Sequence, residues 1–109
     1  MKQANIYYKD ELAGLLVEDE YGYTFTYNSD YLANNGKSIS LTLPVQSEPF
    51  HSDMLFAFFD GLIPEGWLLN IAQVNWKIDI RDRMSLLLAC CRDCIGAVSV
   101  EEIPNIEKE

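Results

Sequence analysis

The first half of the chain alternates apolar and polar residues with the two-residue period of β-strands. Residues 4–8 and 12–17 are mostly apolar or aromatic and flank a short charged stretch, which indicates a hairpin. Residues 23–27, Tyr-Thr-Phe-Thr-Tyr, place their aromatic side chains on one face and their threonines on the other. Residues 38–43, Ser-Ile-Ser-Leu-Thr-Leu, predict a further strand with one buried face, ended by Pro44. The chain is therefore predicted to begin as an antiparallel meander.

After Pro49 the apolar residues recur at helical spacing. Ser52 or Asp53 is the predicted N-cap of a first helix, and its apolar positions are Met54, Leu55, Phe58, Phe59 and Leu62. We expect the last three of these to belong to the core. Pro64 stops or kinks this helix and is well placed to open a second one, because proline is tolerated in a first helical turn.

The remaining pattern predicts a third helix and a last strand. The helix covers residues 84–91, with Asp79 or Asp82 as its cap, and the strand covers residues 96–100. Residues 101–109 are polar and acidic, which is typical of a frayed tail. This order predicts an α+β fold: an antiparallel β-sheet, made of the N-terminal meander plus a C-terminal strand, with about three helices packed to one side. With no repeat or linker, residues 1–109 are predicted to form a single domain.

The charge balance bears on the choice of partner. The chain has 109 residues and a net charge of −9, with a sequence pI of about 4.4. The electrostatic field of so negative a chain repels phosphate groups, so we expect neither direct nucleic-acid binding nor docking on an anionic membrane. A basic or neutral protein partner fits this balance, and solubility alone is the alternative explanation. The N-terminus has no apolar signal segment and no stretch could span a bilayer, so a cytoplasmic protein is expected.

The cysteines are grouped as Cys-Cys-Arg-Asp-Cys at positions 90, 91 and 94. Their odd number argues against a disulfide framework and for a reducing compartment. The spacing from Cys91 to Cys94 matches a metal-ligand or redox pair, but no second pair follows and the one histidine, His51, is distant. We therefore expect buried structural cysteines and no cofactor, with metal or redox chemistry as the less favoured hypothesis.

The most unusual segment covers residues 58–67, Phe-Phe-Asp-Gly-Leu-Ile-Pro-Glu-Gly-Trp, and we call it the corner. It combines three large aromatic residues with two glycines, one proline and two acids. An ordinary core helix is not interrupted in this way, and an ordinary loop does not carry so much apolar surface. The pattern favours a shaped turn that is either buried in the domain or presented to a partner.

Three segments of the chain resemble the N-terminal subdomain of HipA-type toxin kinases. Residues 38–45 are similar to a Leu-Ser-Leu-Ser-Leu-Pro-Leu segment of that family, and residues 58–66 to its Phe-Phe-Asp-Gly-Leu-Leu-Pro-Glu-Gly turn. Residues 92–98, Arg-Asp-Cys-Ile-Gly-Ala-Val, are similar to its Gly-Arg-Asp-Cys-Val-Gly-Ala-Val ending, with Cys91 where the family usually has glycine. The order and spacing of the three segments agree over nearly the whole chain.

The resemblance implies a function without catalysis. Full-length HipA-type proteins continue into a serine/threonine kinase core, whereas this sequence contains no phosphate-binding Gly-rich loop and no catalytic-loop Asp with its Asn. A free-standing subdomain resembles HipS, the antitoxin that binds the HipT kinase in three-part systems that also contain a HipB-like DNA-binding protein. The alternative is a structural subunit that completes a split kinase without inhibiting it. The two hypotheses imply the same kind of interface.

The resemblance also implies a docking surface at the corner. Trp67 is the preferred anchor, because aromatic side chains on a fixed turn lose little entropy on binding. Burial of Trp67 in the core of this domain is the alternative. Asp60 and Glu65 are expected either to pair with basic groups of the kinase or to cap helix ends. Ile63, Glu65 and Trp67 are predicted to face outward. The predicted partner-binding residues are Asp60, Ile63, Pro64, Glu65, Gly66 and Trp67.

Overall fold

The protein folds around one antiparallel β-sheet with helices on one face. The computed structural model describes residues 2–63, 82–90 and 97–103. The strands are β1 (Lys2–Tyr8), β2 (Glu11–Asp19), β3 (Gly22–Tyr27), β4 (Phe50–Ser52) and β5 (Val98–Ile103). The helices are α1 (Ser29–Ala33), α2 (Ala57–Asp60) and α3 (Arg83–Cys90). The strand order is β4-β3-β2-β1-β5 with antiparallel neighbours throughout, which confirms the α+β prediction.

Tight turns build the predicted meander. Lys9 and Asp10 join β1 to β2 with φ angles of 52° and 71°, the left-handed geometry that matches the twist of a two-residue hairpin. The amide of Lys9 also donates to the carbonyl of Ala97 at 2.7 Å, which ties this turn to the start of β5. Gly22 opens β3 with a φ of 127°, a conformation that side chains rarely adopt. Both turns lie where the charged stretches of the sequence predicted them.

The core lies between the sheet and the helices. In β3 the aromatic residues Phe25 and Tyr27 are buried and the threonines lie on the other face, as the two-residue period predicted. The Phe25 ring lies 4.9 Å from the Tyr27 ring and 5.5 Å from the Phe59 ring of α2. Helix α3 adds three fully buried side chains, Met84, Leu86 and Leu87. Within the described ranges, no helix is both long and apolar enough to cross a membrane.

The predicted strand at residues 38–43 is wrong. This segment forms a narrow turn held by one bridge between Ser40 and Leu43, and the amide of Thr42 donates to the Ser40 hydroxyl. Ile39 and Leu43 are buried, but Leu41 is 99% exposed, so the aliphatic side chains do not share one face. The buried hydroxyl of Tyr27 accepts from the Ile39 amide at 3.1 Å and donates to the Leu43 carbonyl. These side-chain bonds replace the strand partners that the alternating pattern implied.

The start of the first predicted helix also differs. Residues 50–52 form β4, which pairs with β3, so Ser52 and Asp53 do not cap a helix. The Ser52 hydroxyl instead accepts from the Met54 amide at 3.2 Å, and α2 begins only at Ala57. As a result Met54, predicted to belong to the apolar face of a helix, is 74% exposed.

The C-terminal elements follow the prediction more closely. Asp82 is the cap of α3, because its carboxylate accepts from the amide of Ser85 at 3.1 Å and from its hydroxyl at 2.7 Å. Strand β5 continues to Ile103, so the prediction of a frayed tail is wrong for residues 101–103. Glu101 accepts from the Tyr7 hydroxyl at 3.0 Å across the β1–β5 pair. Residues 104–109 lie outside the described residues, as does the second predicted helix.

Candidate functional site

Helix α2 anchors the first half of the corner in the core. Phe59 is fully buried, and its ring lies 5.2 Å from that of Phe58 and 6.2 Å from that of Phe56. Phe58 and Leu62 are partly buried and pack against the same core. The core positions predicted from helical spacing are therefore confirmed for these three residues of the corner.

The turn after α2 directs Ile63 inward. The amide of Leu62 donates to the Phe59 carbonyl at 3.0 Å, and the amide of Ile63 to the Asp60 carbonyl at 3.2 Å. These are bonds of a tight 3₁₀ turn, which rotates successive side chains further than an α-helix does. Ile63 is consequently buried, with 3% of its surface exposed, so the prediction that it faces outward is wrong. The Ile63 side chain packs in the core and offers no surface to a partner in this conformation.

Asp60 joins the corner to α3. Its Oδ1 atom lies 2.7 Å from Nε of Arg83, and both side chains are partly exposed. The carboxylate therefore has a partner within the chain, a role that the sequence did not predict. The pair links α2 to α3, and a partly exposed pair of this kind contributes at most about 1 kcal/mol to stability. Pro64, Glu65, Gly66 and Trp67 lie outside the described residues, and their role as partner contacts stays a prediction.

Carboxylates gather around the Tyr23 side chain, between the sheet and these helices. The Tyr23 hydroxyl donates to Oε2 of Glu18 at 3.2 Å, and Oδ2 of Asp82 lies 3.9 Å from Nζ of Lys2. Burial raises the pKa of Tyr23 to about 12, with further contributions from the charges of Glu18, Asp82 and Asp60. We call Glu18, Asp60 and Asp82 the acidic flank. The acidic flank therefore brings negative charge to the end of the sheet at which Tyr23 lies.

The raised pKa of Tyr23 predicts a loss of stability in alkali. A tyrosine in the unfolded chain ionises near pH 10, whereas folded Tyr23 stays protonated to about pH 12. Between these values the folded state binds more protons, so the free energy of unfolding falls as the pH rises. Urea unfolding measured from pH 9 to 12 should show this fall, and Tyr23→Phe should make it shallower. Tyrosinate absorbance showing every tyrosine ionised at pH 10 without unfolding would contradict this assignment.

An apolar groove lies beside the acidic flank. It has a volume of about 590 Å³, and its apolar walls include Leu43, Met54, Leu55 and Phe56. The Asp60–Arg83 pair also forms part of its lining. We call it the α2 groove. The sequence did not reveal it, because Leu43 was predicted to belong to a strand that does not form and Met54 to a helix that begins only at Ala57.

Nothing in the described part of the chain forms a metal site. No group of three or more His, Cys, Asp or Glu side chains is placed there to hold an ion. Nδ1 of His51 lies 3.4 Å from the Thr24 hydroxyl, a contact between neighbouring strands at the sheet surface. Cys91 and Cys94 lie outside the described residues, so their structural role stays a prediction.

Comparisons with known proteins agree on one family. The family model of the HipA N-terminal domain matches residues 4–101. An uncharacterized protein of Haemophilus influenzae (strain ATCC 51907 / DSM 11121 / KW20 / Rd) is 38% identical over 102 residues, which cover 94% of this chain and 93% of that protein. A solved structure, the N-terminal domain of HipA toxin, superposes with a TM-score of 0.76 at 34% identity and covers 96% of this chain and 95% of its own.

Proposed function

The chain belongs to the HipA N-terminal domain family, and from this premise we propose that it is a HipS-like antitoxin component of a three-part toxin–antitoxin system. In this role it binds and inhibits a serine/threonine kinase of the HipT or HipA type. One observation carries the proposal: the Haemophilus influenzae relative is covered over 93% of its own length, so this domain makes up nearly all of that protein. The existence of such a relative supports a role in which the domain binds a kinase that is a separate chain.

The fold supports such a role. The corner is anchored by the buried side chains of Phe59 and Ile63 and by the Asp60–Arg83 pair. The chain therefore enters its Pro-Glu-Gly-Trp segment from a fixed point, and preorganisation of this kind reduces the entropy lost on binding. The net charge of −9 favours a basic face on the kinase and fast association.

In the proposed complex, which lies in the cytoplasm, this chain itself makes no direct contact with nucleic acid. A HipB-like DNA-binding protein completes a ternary assembly, in which this chain contacts protein surfaces alone. The strongly acidic balance of the chain supports that division of roles, because phosphate backbones are repelled from it.

A kinase assay tests the proposal. The purified protein is added to a purified HipT-type kinase from its own organism, and complex formation and phosphorylation are measured together. Stoichiometric binding with loss of phosphorylation supports the antitoxin function. Binding that maintains or raises phosphorylation identifies the alternative, a structural subunit of a split kinase. Absence of binding contradicts both.

Trp67→Ala should weaken kinase binding at least about tenfold, because a buried Trp anchor is typical of an interface hot spot. Calorimetric titration of the kinase with each variant measures the loss, and thermal unfolding confirms that the variant is folded. Leu12→Ala is the control, because Leu12 is partly exposed on the sheet face turned away from the helices. Unchanged affinity in folded Trp67→Ala would exclude Trp67 as the anchor.

A further inference from the structure

The lining of the α2 groove contains one large apolar side chain that the fold leaves in solvent, and a second such residue is adjacent to the lining in sequence. Met54 in its wall is 74% exposed, and Leu41, which precedes Thr42 of the groove lining, is 99% exposed. Residues close to them in sequence, Leu43 and Leu55, are buried in the core. Apolar surface is therefore available nearby, yet Leu41 and Met54 stay exposed. Exposed large apolar residues at the edge of an apolar concavity are typical of a protein-binding surface.

Charge distinguishes the groove from an ordinary apolar depression. Asp60, a member of the acidic flank, lies in the groove lining. Ser52 also lies in the lining and is the sheet partner of Tyr23, the residue whose pKa the acidic flank helps to raise, so the groove adjoins the flank. Among the described residues, its three carboxylates have close contacts with two cations, Arg83 and Lys2, so this part of the chain gives the flank one more negative than positive charge. A ligand that complements this surface carries apolar side chains and at least one positive charge.

We propose that the α2 groove docks a short segment of the partner kinase in which apolar side chains adjoin a Lys or Arg. The apolar side chains lie against Leu43, Met54 and Leu55, and the cation lies beside the acidic flank. This inference rests on the proposed function and adds a second contact surface to the Pro-Glu-Gly-Trp segment. A second copy of this chain fits less well, because it carries the same net charge of −9 and would place acids against acids.

Substitution of the two exposed side chains tests the groove. Met54→Asp and Leu41→Asp place a carboxylate in the apolar contact and are each expected to lower kinase affinity about tenfold or more. Both side chains are exposed in the free protein, so thermal unfolding should be nearly unchanged. Leu12→Asp introduces the same charge on the opposite face of the sheet and should leave affinity unchanged. Hydroxyl-radical footprinting of the complex should show Met54 protected from oxidation.

The outcomes separate this inference from the proposed function. If Met54→Asp and Leu41→Asp bind as the wild-type does while Trp67→Ala does not, the groove is excluded and the kinase partnership stands. If the wild-type protein does not bind the kinase at all, both proposals fail. If sedimentation shows a wild-type dimer that Met54→Asp dissociates, the groove joins two copies of this chain, and docking of the kinase there is contradicted.

Discussion

Phe59→Ala is expected to lower the free energy of unfolding by about 3–5 kcal/mol, the range measured for removal of a buried aromatic ring. Phe59 is fully buried, and its ring contacts the rings of Phe25, Phe56 and Phe58 at centroid distances of 5.2–6.2 Å. The neighbours come from both β3 and α2, so they cannot all collapse into the space that the ring leaves. The total free energy of unfolding of a domain of this size is about 5–15 kcal/mol, so the variant loses a large share of its stability.

Urea unfolding followed by circular dichroism measures this change. Met54→Ala is the matched control, because it lies in the same part of the chain but is exposed, and its effect should stay within about 0.5 kcal/mol. A loss below about 1 kcal/mol for Phe59→Ala would contradict the prediction, because it would mean that the aromatic cluster repacks without a cavity.

The same variant connects the core to the corner. Phe59 and Asp60 accept the two amide bonds that turn the chain toward Ile63, so a displaced α2 also displaces the start of the Pro-Glu-Gly-Trp segment. Phe59→Ala should therefore weaken kinase binding and lower stability together, whereas Trp67→Ala should weaken binding and leave stability nearly unchanged. Comparison of the two variants separates the support of the corner from its contact surface.

The sequence was informative where one periodicity decided the structure. The alternation of Tyr23, Phe25 and Tyr27 identified both a strand and its buried face, because a sheet with one covered face requires that pattern. Helical spacing identified Phe59 as a core residue for the same reason. Asp82 was one of two candidate caps, and its bonds to Ser85 distinguish it from Asp79, which lies outside the described residues.

The predictions from the sequence were wrong where individual hydrogen bonds, which no periodicity reveals, decided the structure. At residues 38–43 the hydroxyl of Tyr27, which is distant in sequence, holds a turn that the local alternation could not reveal. Ile63 lies two residues after Gly61 and directly before Pro64, in a segment that was predicted to face outward, but two 3₁₀ bonds direct its side chain into the core. The α2 groove was hidden for the same reason, since both of its walls belong to segments whose local structure was predicted wrongly.

Gly22→Val is expected to destabilise the protein by about 3 kcal/mol. The φ of 127° at Gly22 lies in a region where a side chain strains the backbone by about 1–3 kcal/mol. A Cβ atom there would also lie 2.5 Å from the carbonyl oxygen of Ser52, which is backbone and cannot rotate away. The added side chain must therefore separate the start of β3 from the end of β4, whose pairing with β3 covers three residues.

Gly61→Ala is the control that isolates this backbone effect. Gly61 has a φ of −69°, and a Cβ atom there would meet its nearest neighbour, the Ala57 carbonyl, at 3.3 Å. Its effect on the free energy of unfolding should stay within about 1 kcal/mol, because alanine adopts that conformation without strain. Urea unfolding of the two variants measures the difference, and hydrogen exchange should show faster exchange in β4 for Gly22→Val alone. Equal stability of the two variants would contradict the prediction, because it would show that a side chain at position 22 neither strains the backbone nor displaces β4.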